Sequence, residues 1–146
     1  MMQDFSGRTA VITGGASGIG LGMARAFASR GMQLVLADLD VALLEKAEAA
    51  FLQAGTSVVT QVCDVSKLED VERLAALTLE RFGGVHVVCS NAGVGLPTSA
   101  RNIKLADWEW IINVDLWGPI YTVKTFLPYW RRKVKVISTR RRRWRD

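Results

Sequence analysis

Residues 13–20 read Thr-Gly-Gly-Ala-Ser-Gly-Ile-Gly, and this stretch decides the fold. It follows the apolar run Thr9–Thr13, which predicts a buried strand, and it opens a segment with helical period. Glycines in such a loop allow positive φ angles and a close approach of the backbone to a ligand. The helix start presents unpaired N–H groups and the positive end of the helix dipole. The stretch therefore predicts a strand, a loop and a helix that bind a pyrophosphate.

An acidic residue at the end of the next apolar run supports a dinucleotide ligand. Asp38 closes the predicted strand Gln33–Asp38, eighteen residues after Gly20, where a carboxylate accepts from a ribose 2′-hydroxyl. A 2′-phosphate would meet this carboxylate as a like charge, and no Arg stands in the loop or directly after the strand. We therefore predict NAD rather than NADP. The alternative is a glycine-rich turn that only lets the helix pack on the sheet.

The chain up to residue 130 continues to alternate between strand and helix periods. The predicted helix over 67–82 has Ser66 as its N-cap, with Glu69 completing a capping box. The predicted helix over about 105–130 contains Pro119, which should kink or divide it. The other predicted elements are a helix over 41–54 and strands over 56–63, 85–89 and 133–138. Alternating strands and helices imply right-handed crossovers, and hence an α/β fold with a doubly wound, Rossmann-like parallel sheet of about five strands.

Charge is distributed unevenly along the 146 residues. Residues 1–130 hold 10 Lys and Arg against 13 Asp and Glu, whereas residues 131–146 hold 9 against one. We interpret 1–130 as a dinucleotide-binding domain and 131–146 as a basic tail. The mildly acidic body gives no reason to expect a nucleic acid or a membrane as partner.

Three features of the sequence bear on the compartment. No stretch approaches the roughly 18 uncharged apolar residues of a membrane span, and the N-terminus lacks the pattern of a secretory signal. Cys63 and Cys89 form neither a disulfide framework nor a metal-binding pattern. We predict buried thiols in a reducing, cytoplasmic compartment, and no metal site.

Four motifs in order resemble the short-chain dehydrogenase/reductase family over about residues 8–128. Thr13–Gly20 is similar to its T-G-x-x-x-G-x-G cofactor motif, and Asp64-Val65 resembles its acidic pair, whose Asp contacts the adenine ring. Asn91-Ala92-Gly93 matches the end of its N-N-A-G motif, with Ser90 in place of the first Asn. Asp115–Gly118 resembles its N-x-x-G segment. The resemblance implies a tyrosine-dependent, NAD(P)-linked oxidoreductase that acts on a small alcohol or carbonyl.

The glycine loop, the acid after the second strand and the resemblance together assign a set of cofactor-binding residues. They are Thr13, Gly14, Ser17, Gly18, Ile19, Gly20, Asp38, Asp64, Val65, Asn91, Ala92 and Gly93. Other conspicuous side chains are interpreted as structural. His86, the only histidine, lies between valines and is expected at an edge or in the core. An aromatic group is expected to pack helices, namely Trp108, Trp110, Trp117 and Tyr121.

The catalytic half of the family pattern is not matched. Asp115 stands where the resemblance places an Asn that holds a water in a proton relay. Tyr129 and Lys133 have the spacing of the family's Tyr-x-x-x-Lys pair, but they precede the predicted fifth strand, whereas the family's pair follows it. Ser138 could echo the catalytic Ser at the end of that strand. No catalytic residue is therefore assigned.

The residues after about 131 do not resemble the family, whose members continue with the catalytic helix, further strands and a substrate loop. We expect a truncated form that keeps the NAD-binding half, with a shifted reading frame as the origin of the tail. Three functions remain open: an active oxidoreductase, a non-catalytic dinucleotide-binding fragment, and a nucleic-acid binder that uses residues 140–145. An unpaired strand edge and an apolar helix face predict self-association.

Overall fold

The computed structural model describes residues 4–97 and 101–129, which alternate between strands and helices as the sequence predicts. The elements are β1 (Thr9–Thr13), α1 (Gly18–Ala28), β2 (Gln33–Asp38), α2 (Val41–Gln53), β3 (Val58–Val62), α3 (Leu68–Phe82), β4 (Val87–Cys89), α4 (Leu105–Ile112), a π-turn (Asn113–Trp117), α5 (Gly118–Phe126) and a 3-10 turn (Leu127–Tyr129). Within these two ranges, every helix is too short or too polar to cross a lipid bilayer.

The four described strands form one parallel sheet in the order β3-β2-β1-β4. Val11 at the centre of β1 pairs with Val35 of β2 on one side and with Val88 of β4 on the other. The predicted α/β fold is confirmed, and this order is the first part of the Rossmann arrangement, in which ligands bind beyond the carboxyl ends of the strands. The predicted fifth strand (133–138) and the basic tail (131–146) lie outside the described residues.

Helices cover both faces of the sheet, so the strands are apolar on both sides. On one face, Ile12 belongs to a buried cluster with residues of α1 and α2, such as Ala24 and Leu44. On the other face, Val11 belongs to a cluster with residues of α3 and α5, such as Leu74 and Phe126. Because neighbouring residues of a strand point to opposite faces, near-continuous apolar strands are what this arrangement requires.

The start of α3 differs from the prediction. Ser66 does not cap the helix: its hydroxyl donates to the Asp64 carboxylate at 2.6 Å, and Lys67 is the N-cap residue, with no side-chain capping bond. The short Asp64–Ser66 turn satisfies the hydroxyl before the helix begins, so the capping box does not form. Two strands are also shorter than the apolar runs that predicted them: β3 is shorter at both ends, and β4 is shorter at its amino end.

Pro119 divides the long helical stretch, as predicted. A proline within a helix lacks an N–H donor, and its ring clashes with the carbonyl group four residues earlier, here that of Asp115. The chain accommodates this with the π-turn Asn113–Trp117, which ends two residues before Pro119 and whose i→i+5 hydrogen bonds each enclose one residue more than those of an α-helix. The π-turn separates α4 from α5 without a loop between them.

His86 lies beside the amino end of β4 and bonds to the neighbouring strand, a structural role like the one expected. The Thr9 N–H donates to its Nδ1 at 3.1 Å, which requires an unprotonated nitrogen. Burial and the charge of Arg8 lower the pKa of His86. Its stabilising contribution is therefore complete above the unfolded-state pKa of about 6.5 and is lost as the pH falls through the lower folded-state pKa.

This linkage predicts a difference between the wild type and His86→Asn, whose amide oxygen can accept the same bond without titrating. Urea unfolding at pH 8 and pH 5 measures the free energy of unfolding of both proteins. We expect the wild type to lose more stability than the variant on acidification, because His86 binds more protons in the unfolded state than in the folded state, whereas Asn binds none in either. Equal losses would show that His86 does not titrate differently in the two states.

Candidate cofactor site

A cleft of about 400 Å³ opens at the carboxyl ends of the four strands. Its walls come from the loops after β1, β2, β3 and β4 and from the α4 helix with the π-turn. The lining residues are Gly14, Ser17, Gly18, Ile19, Asp38, Leu39, Cys63, Asp64, Val65, Ser66, Asn91, Ala92, Gly93, Val94, Trp110 and Val114. Every residue that the sequence assigns to a cofactor lines this cleft, except Thr13 and Gly20. Four separate segments therefore meet at one site, namely residues 14–19, Asp38, Asp64-Val65 and Asn91–Gly93, whereas Asp115–Gly118 does not line it.

Thr13 supports the cleft from behind. Its side chain is fully buried, and its Oγ1 accepts from the N–H groups of Asn91 and Ala92 at 3.0 and 3.1 Å. The same hydroxyl faces the Cys89 carbonyl oxygen at 3.4 Å, to which it donates. These bonds fix the end of β1 to the loop after β4. Thr13 thus positions two walls of the cleft without lining it.

Asn91 connects the same two loops in the opposite direction. Its Nδ2 donates to the carbonyl oxygens of Thr13 and Gly14 at 3.0 and 3.2 Å. The amide occupies the position where the glycine loop leaves β1, so it holds the loop backbone against the β4 side. Asn91 therefore both lines the cleft and shapes it.

Two glycines of the loop serve different purposes. Gly18 has a φ of +50°, and a Cβ on it would meet nothing within 4 Å, which leaves backbone N–H groups open to a ligand. Gly20 packs against the loop itself: a Cβ there would lie 1.9 Å from the Gly14 carbonyl oxygen. Gly18 therefore leaves open space for a ligand at the start of α1, whereas Gly20 allows α1 to pack closely against the glycine loop.

The amino end of α1 has no side-chain cap. Ser17 is its N-cap residue and makes no capping bond, whereas at α2 the Asp40 side chain accepts from the Leu43 N–H at 3.0 Å. Ser17, Gly18 and Ile19 all line the cleft. The uncapped N–H groups and the positive end of the α1 dipole thus open into a cleft of a size that suits an anionic ligand such as a diphosphate.

Asp38 borders the cleft with a fixed carboxylate. Its Oδ2 accepts from the Ala16 N–H at 3.1 Å and its Oδ1 from the Leu39 N–H at 2.8 Å. Because a carboxylate has about four acceptor positions, these bonds orient Asp38 and still leave acceptor capacity for a hydroxyl group. The same bonds tie the glycine loop to the end of β2.

The loop after β3 presents a second carboxylate. Although partial burial opposes ionisation, hydrogen bonds from Ser66 and the charge of Lys67 lower the pKa of Asp64. Val65 beside it is buried against Gly118, where an added Cβ would lie 2.9 Å from Val65 Cγ2. Asp64 is therefore an anchored anion that can accept hydrogen bonds from a ligand.

Two exposed apolar side chains line the cleft as well. Ile19 at the start of α1 is 78% exposed, and Leu39 after β2 is 61% exposed. When a ligand covers apolar groups that are so open to water, the buried surface contributes roughly 25 cal/mol per Å² to the free energy of binding. A ligand with apolar parts would therefore bury surface against both side chains.

Asp115 lies behind the cleft, next to the loop after β4. Its Oδ1 accepts from the Val94 N–H at 2.8 Å, so it supports the loop that carries Asn91. An Asn amide oxygen could accept the same bond, but the carboxylate adds a charge and cannot donate. The structure gives Asp115 a positioning contact.

Of the other catalytic candidates, the structure describes only Tyr129. Tyr129 is 42% exposed in the 3-10 turn and is not a lining residue. Lys133 and Ser138 lie outside the described residues. Of the lining residues found in 4–97 and 101–129, none is a Tyr, a Lys or a His. The described lining thus contains the residues predicted to bind a cofactor, and it contains neither a Tyr nor a Lys.

Sequence analysis missed several lining residues on the helical side of the cleft. Trp110 was expected to pack helices, but it lines the cleft and is 45% exposed. The available signal was its spacing of four residues from Val114, which places both side chains on one helix face. By contrast, Trp117 and Tyr121 do pack together, with ring centroids 5.6 Å apart. Two members of the aromatic group, Trp117 and Tyr121, therefore pack on each other, and a third, Trp110, lines the cleft. The other missed lining residues are Leu39, Cys63, Ser66, Val94 and Val114.

Comparison with known proteins gives consistent matches. A family model described as short chain dehydrogenase matches residues 8–139. The chain is 34% identical over 127 residues to the CLA biosynthesis dehydrogenase/reductase of Lactiplantibacillus plantarum, covering 87% of this chain and 44% of that protein.

Solved structures of similar proteins match the chain as well. A short-chain dehydrogenase/reductase from Burkholderia phymatum, determined in complex with NAD, is 40% identical with a TM-score of 0.85, over 88% of this chain and 46% of that one. An alcohol dehydrogenase from the archaeon Thermococcus sibiricus, complexed with 5-hydroxy-NADP, is 40% identical with a TM-score of 0.79, over 84% and 52%. The chain thus spans about half the length of the relatives it matches.

Proposed function

Because the chain belongs to the short-chain dehydrogenase/reductase family of NAD(P)-dependent oxidoreductases, we propose that its cleft binds NAD for the oxidation or reduction of a small alcohol or carbonyl. One observation carries the proposal: the uncapped start of α1 opens, at Gly18, into a cleft that the carboxylate of Asp38 borders. An anion site and a ribose acceptor at the carboxyl edge of a parallel sheet fit a dinucleotide.

The strand order indicates how the ligand would lie. Asp38 ends β2, and Asp64 and Val65 follow β3, so the β2–β3 side would hold the adenosine. Residues 14–19 would hold the diphosphate, and the loop 91–94 after β4 would face the nicotinamide half. Bound NAD supplies a hydride acceptor at its nicotinamide ring. The described residues bind and orient the cofactor, and the proposal gives them no proton transfer.

Titration calorimetry with NAD and with ADP-ribose tests this assignment. We expect both to bind, and with similar affinities if residues 4–97 and 101–129 hold only the adenosine and diphosphate. Formation of NADH from secondary alcohols tests the oxidoreductase part separately. A protein that binds neither dinucleotide nor ADP-ribose would rule out the cofactor site.

The preference for NAD over NADP rests on Asp38, and we predict that Asp38→Asn reduces it by about tenfold. The expected change comes from removing a like charge beside a 2′-phosphate, and tenfold corresponds to about 1.4 kcal/mol. The ratio of the two dissociation constants is the measurement. NAD affinity should also fall, because in either amide orientation the Nδ2 of Asn replaces one of the two oxygens that accept the Ala16 and Leu39 N–H groups.

Asp40→Asn is the matched control. Asp40 lies two residues further on, is exposed and caps α2, and it does not line the cleft. Asn is as good an N-cap as Asp, so stability and the NADP-to-NAD ratio should both stay at the wild-type values. If the ratio of the NADP and NAD dissociation constants is the same in Asp38→Asn as in Asp40→Asn, Asp38 does not set the preference for NAD.

We further propose that the protein self-associates and works in the cytoplasm. Exposed apolar side chains follow one another on α4, the π-turn and α5, which supports an interface there: Leu105, Ile112, Leu116, Ile120 and Val123. The thiols of Cys63 and Cys89 are free, which fits a reducing compartment. Light scattering on the purified protein tests the association, and a monomer at all concentrations would exclude it.

A further inference from the structure

The helical wall of the cleft carries an aromatic side chain that the cofactor motifs do not explain. Trp110 of α4 lines the cleft together with Val114 of the π-turn. Its indole is 45% exposed, although large aromatic side chains are usually well buried. We propose that Trp110 contacts the adenine base of the bound dinucleotide. The proposal rests on the proposed function and specifies which residue recognises the base.

The position of the helical wall relative to β3 supports this assignment. Gly118, at the start of α5, packs directly on Val65 of the loop after β3. Val114, one turn earlier, is buried in the same core cluster as Val65, and Trp110 lies one turn earlier again. The helical wall is therefore in contact with the loop after β3, where the adenosine is proposed to lie, and it also contacts the loop after β4 through Asp115.

The chemistry of the two groups also agrees. An indole and a purine are both flat and aromatic, and contact between an aromatic side chain and a base contributes enough binding energy to change affinity by about tenfold. Leu39, exposed at the same cleft, is a further apolar group that a base can cover. The ligand class predicted for this wall is thus an adenine nucleotide.

Trp108 provides a matched control, because it lies on the same helix and is also 45% exposed but does not line the cleft. Calorimetry with ADP-ribose compares the wild type, Trp110→Ala and Trp108→Ala. We expect affinity to fall about tenfold in Trp110→Ala and to stay within about twofold of the wild type in Trp108→Ala.

Quenching of tryptophan fluorescence gives a second readout, which reports contact with the ligand even where a substitution does not change the affinity. ADP-ribose and AMP should quench the emission of the wild type and of Trp108→Phe, and the quenching should largely disappear in Trp110→Phe. Nicotinamide mononucleotide should not quench. The Phe variants keep an aromatic ring at each position, so this readout remains available if an Ala variant does not fold.

The outcomes separate this inference from the proposed function. If the wild type binds neither NAD nor ADP-ribose, the proposed function fails and the inference fails with it. If the wild type binds ADP-ribose but Trp110→Ala binds it equally well and Trp110→Phe is quenched as before, only the inference is overturned. Quenching of Trp110 by nicotinamide mononucleotide rather than AMP would also overturn it, since the indole would then face the other half of the ligand.

Discussion

Gly20→Ala is expected to abolish dinucleotide binding, whereas Gly22→Ala, two residues further along α1, should leave it intact. The added Cβ at Gly20 would lie 1.9 Å from the Gly14 carbonyl oxygen and 2.8 Å from Asn91 Nδ2. No flexible side chain can move aside to relieve the first of these contacts, because the obstructing atom belongs to the backbone. The start of α1 must therefore separate from the glycine loop.

That separation affects the site and the fold together. The Gly14 carbonyl also accepts from Asn91 Nδ2, so moving it weakens the connection between the loops after β1 and β4. We expect a loss of at least about hundredfold in NAD affinity, equivalent to about 2.7 kcal/mol, and a loss of about 3 kcal/mol in the free energy of unfolding. Both effects come from one steric conflict.

Gly22→Ala tests whether the conflict is specific. A Cβ at Gly22 would meet nothing within 4 Å, and Ala in a helix interior is favoured over Gly by about 0.5–1 kcal/mol. Urea unfolding and NAD titration of both variants give the comparison. NAD affinity within about threefold of the wild type in Gly20→Ala would contradict the packing of α1 against the loop.

The sequence predicts the elements of this fold and the sheet edge at which the cleft lies, because their causes are local. The apolar run of β1 and the glycines of residues 13–20 determine a strand, a turn and a helix start from neighbours in the chain. The parallel sheet follows from alternation of strands and helices. The sequence pattern does not distinguish Gly18, which opens into the cleft, from Gly20, which packs against Gly14, because this difference depends on contacts in three dimensions.

The errors have a common physical origin in competition between partners. Ser66 has a residue type that suits an N-cap, but the carboxylate of Asp64 lies two residues away and takes its hydroxyl. Trp110 is of a residue type that commonly packs between helices, but it lines the cleft, whereas Gly118 further along the same helical stretch packs on Val65. In both cases the sequence shows what a side chain can do, and the tertiary contacts decide which option is used.

Asn91→Asp should have the second large effect, because it replaces a donor by an acceptor between two carbonyl groups. In the wild type, Nδ2 donates to the Thr13 and Gly14 oxygens at 3.0 and 3.2 Å. A carboxylate in this place would set a negative oxygen against both of them. We expect a loss of about 3 kcal/mol in the free energy of unfolding at pH 8 and a loss of NAD binding.

The pH dependence of this loss distinguishes electrostatic repulsion from a simple change in packing. Repulsion raises the pKa of the introduced carboxyl above its unfolded value of about 3.9. The folded variant therefore holds its proton to a higher pH than the unfolded chain does. The penalty relative to the wild type is full above the raised pKa and shrinks as the pH falls towards 4, where the protonated carboxyl can donate one of the two bonds.

Asn113→Asp makes the same chemical change at an exposed position of the π-turn and serves as the control. Its free energy of unfolding should stay within about 0.5 kcal/mol of the wild type, with little change in the difference between pH 5 and pH 8. For Asn91→Asp, a stability difference that is equal at both pH values would mean that shape, rather than the polarity of the amide, holds the glycine loop against the β4 side. If the stability difference between Asn91→Asp and the wild type instead becomes smaller as the pH falls, the cleft requires the hydrogen-bond donor of Asn91.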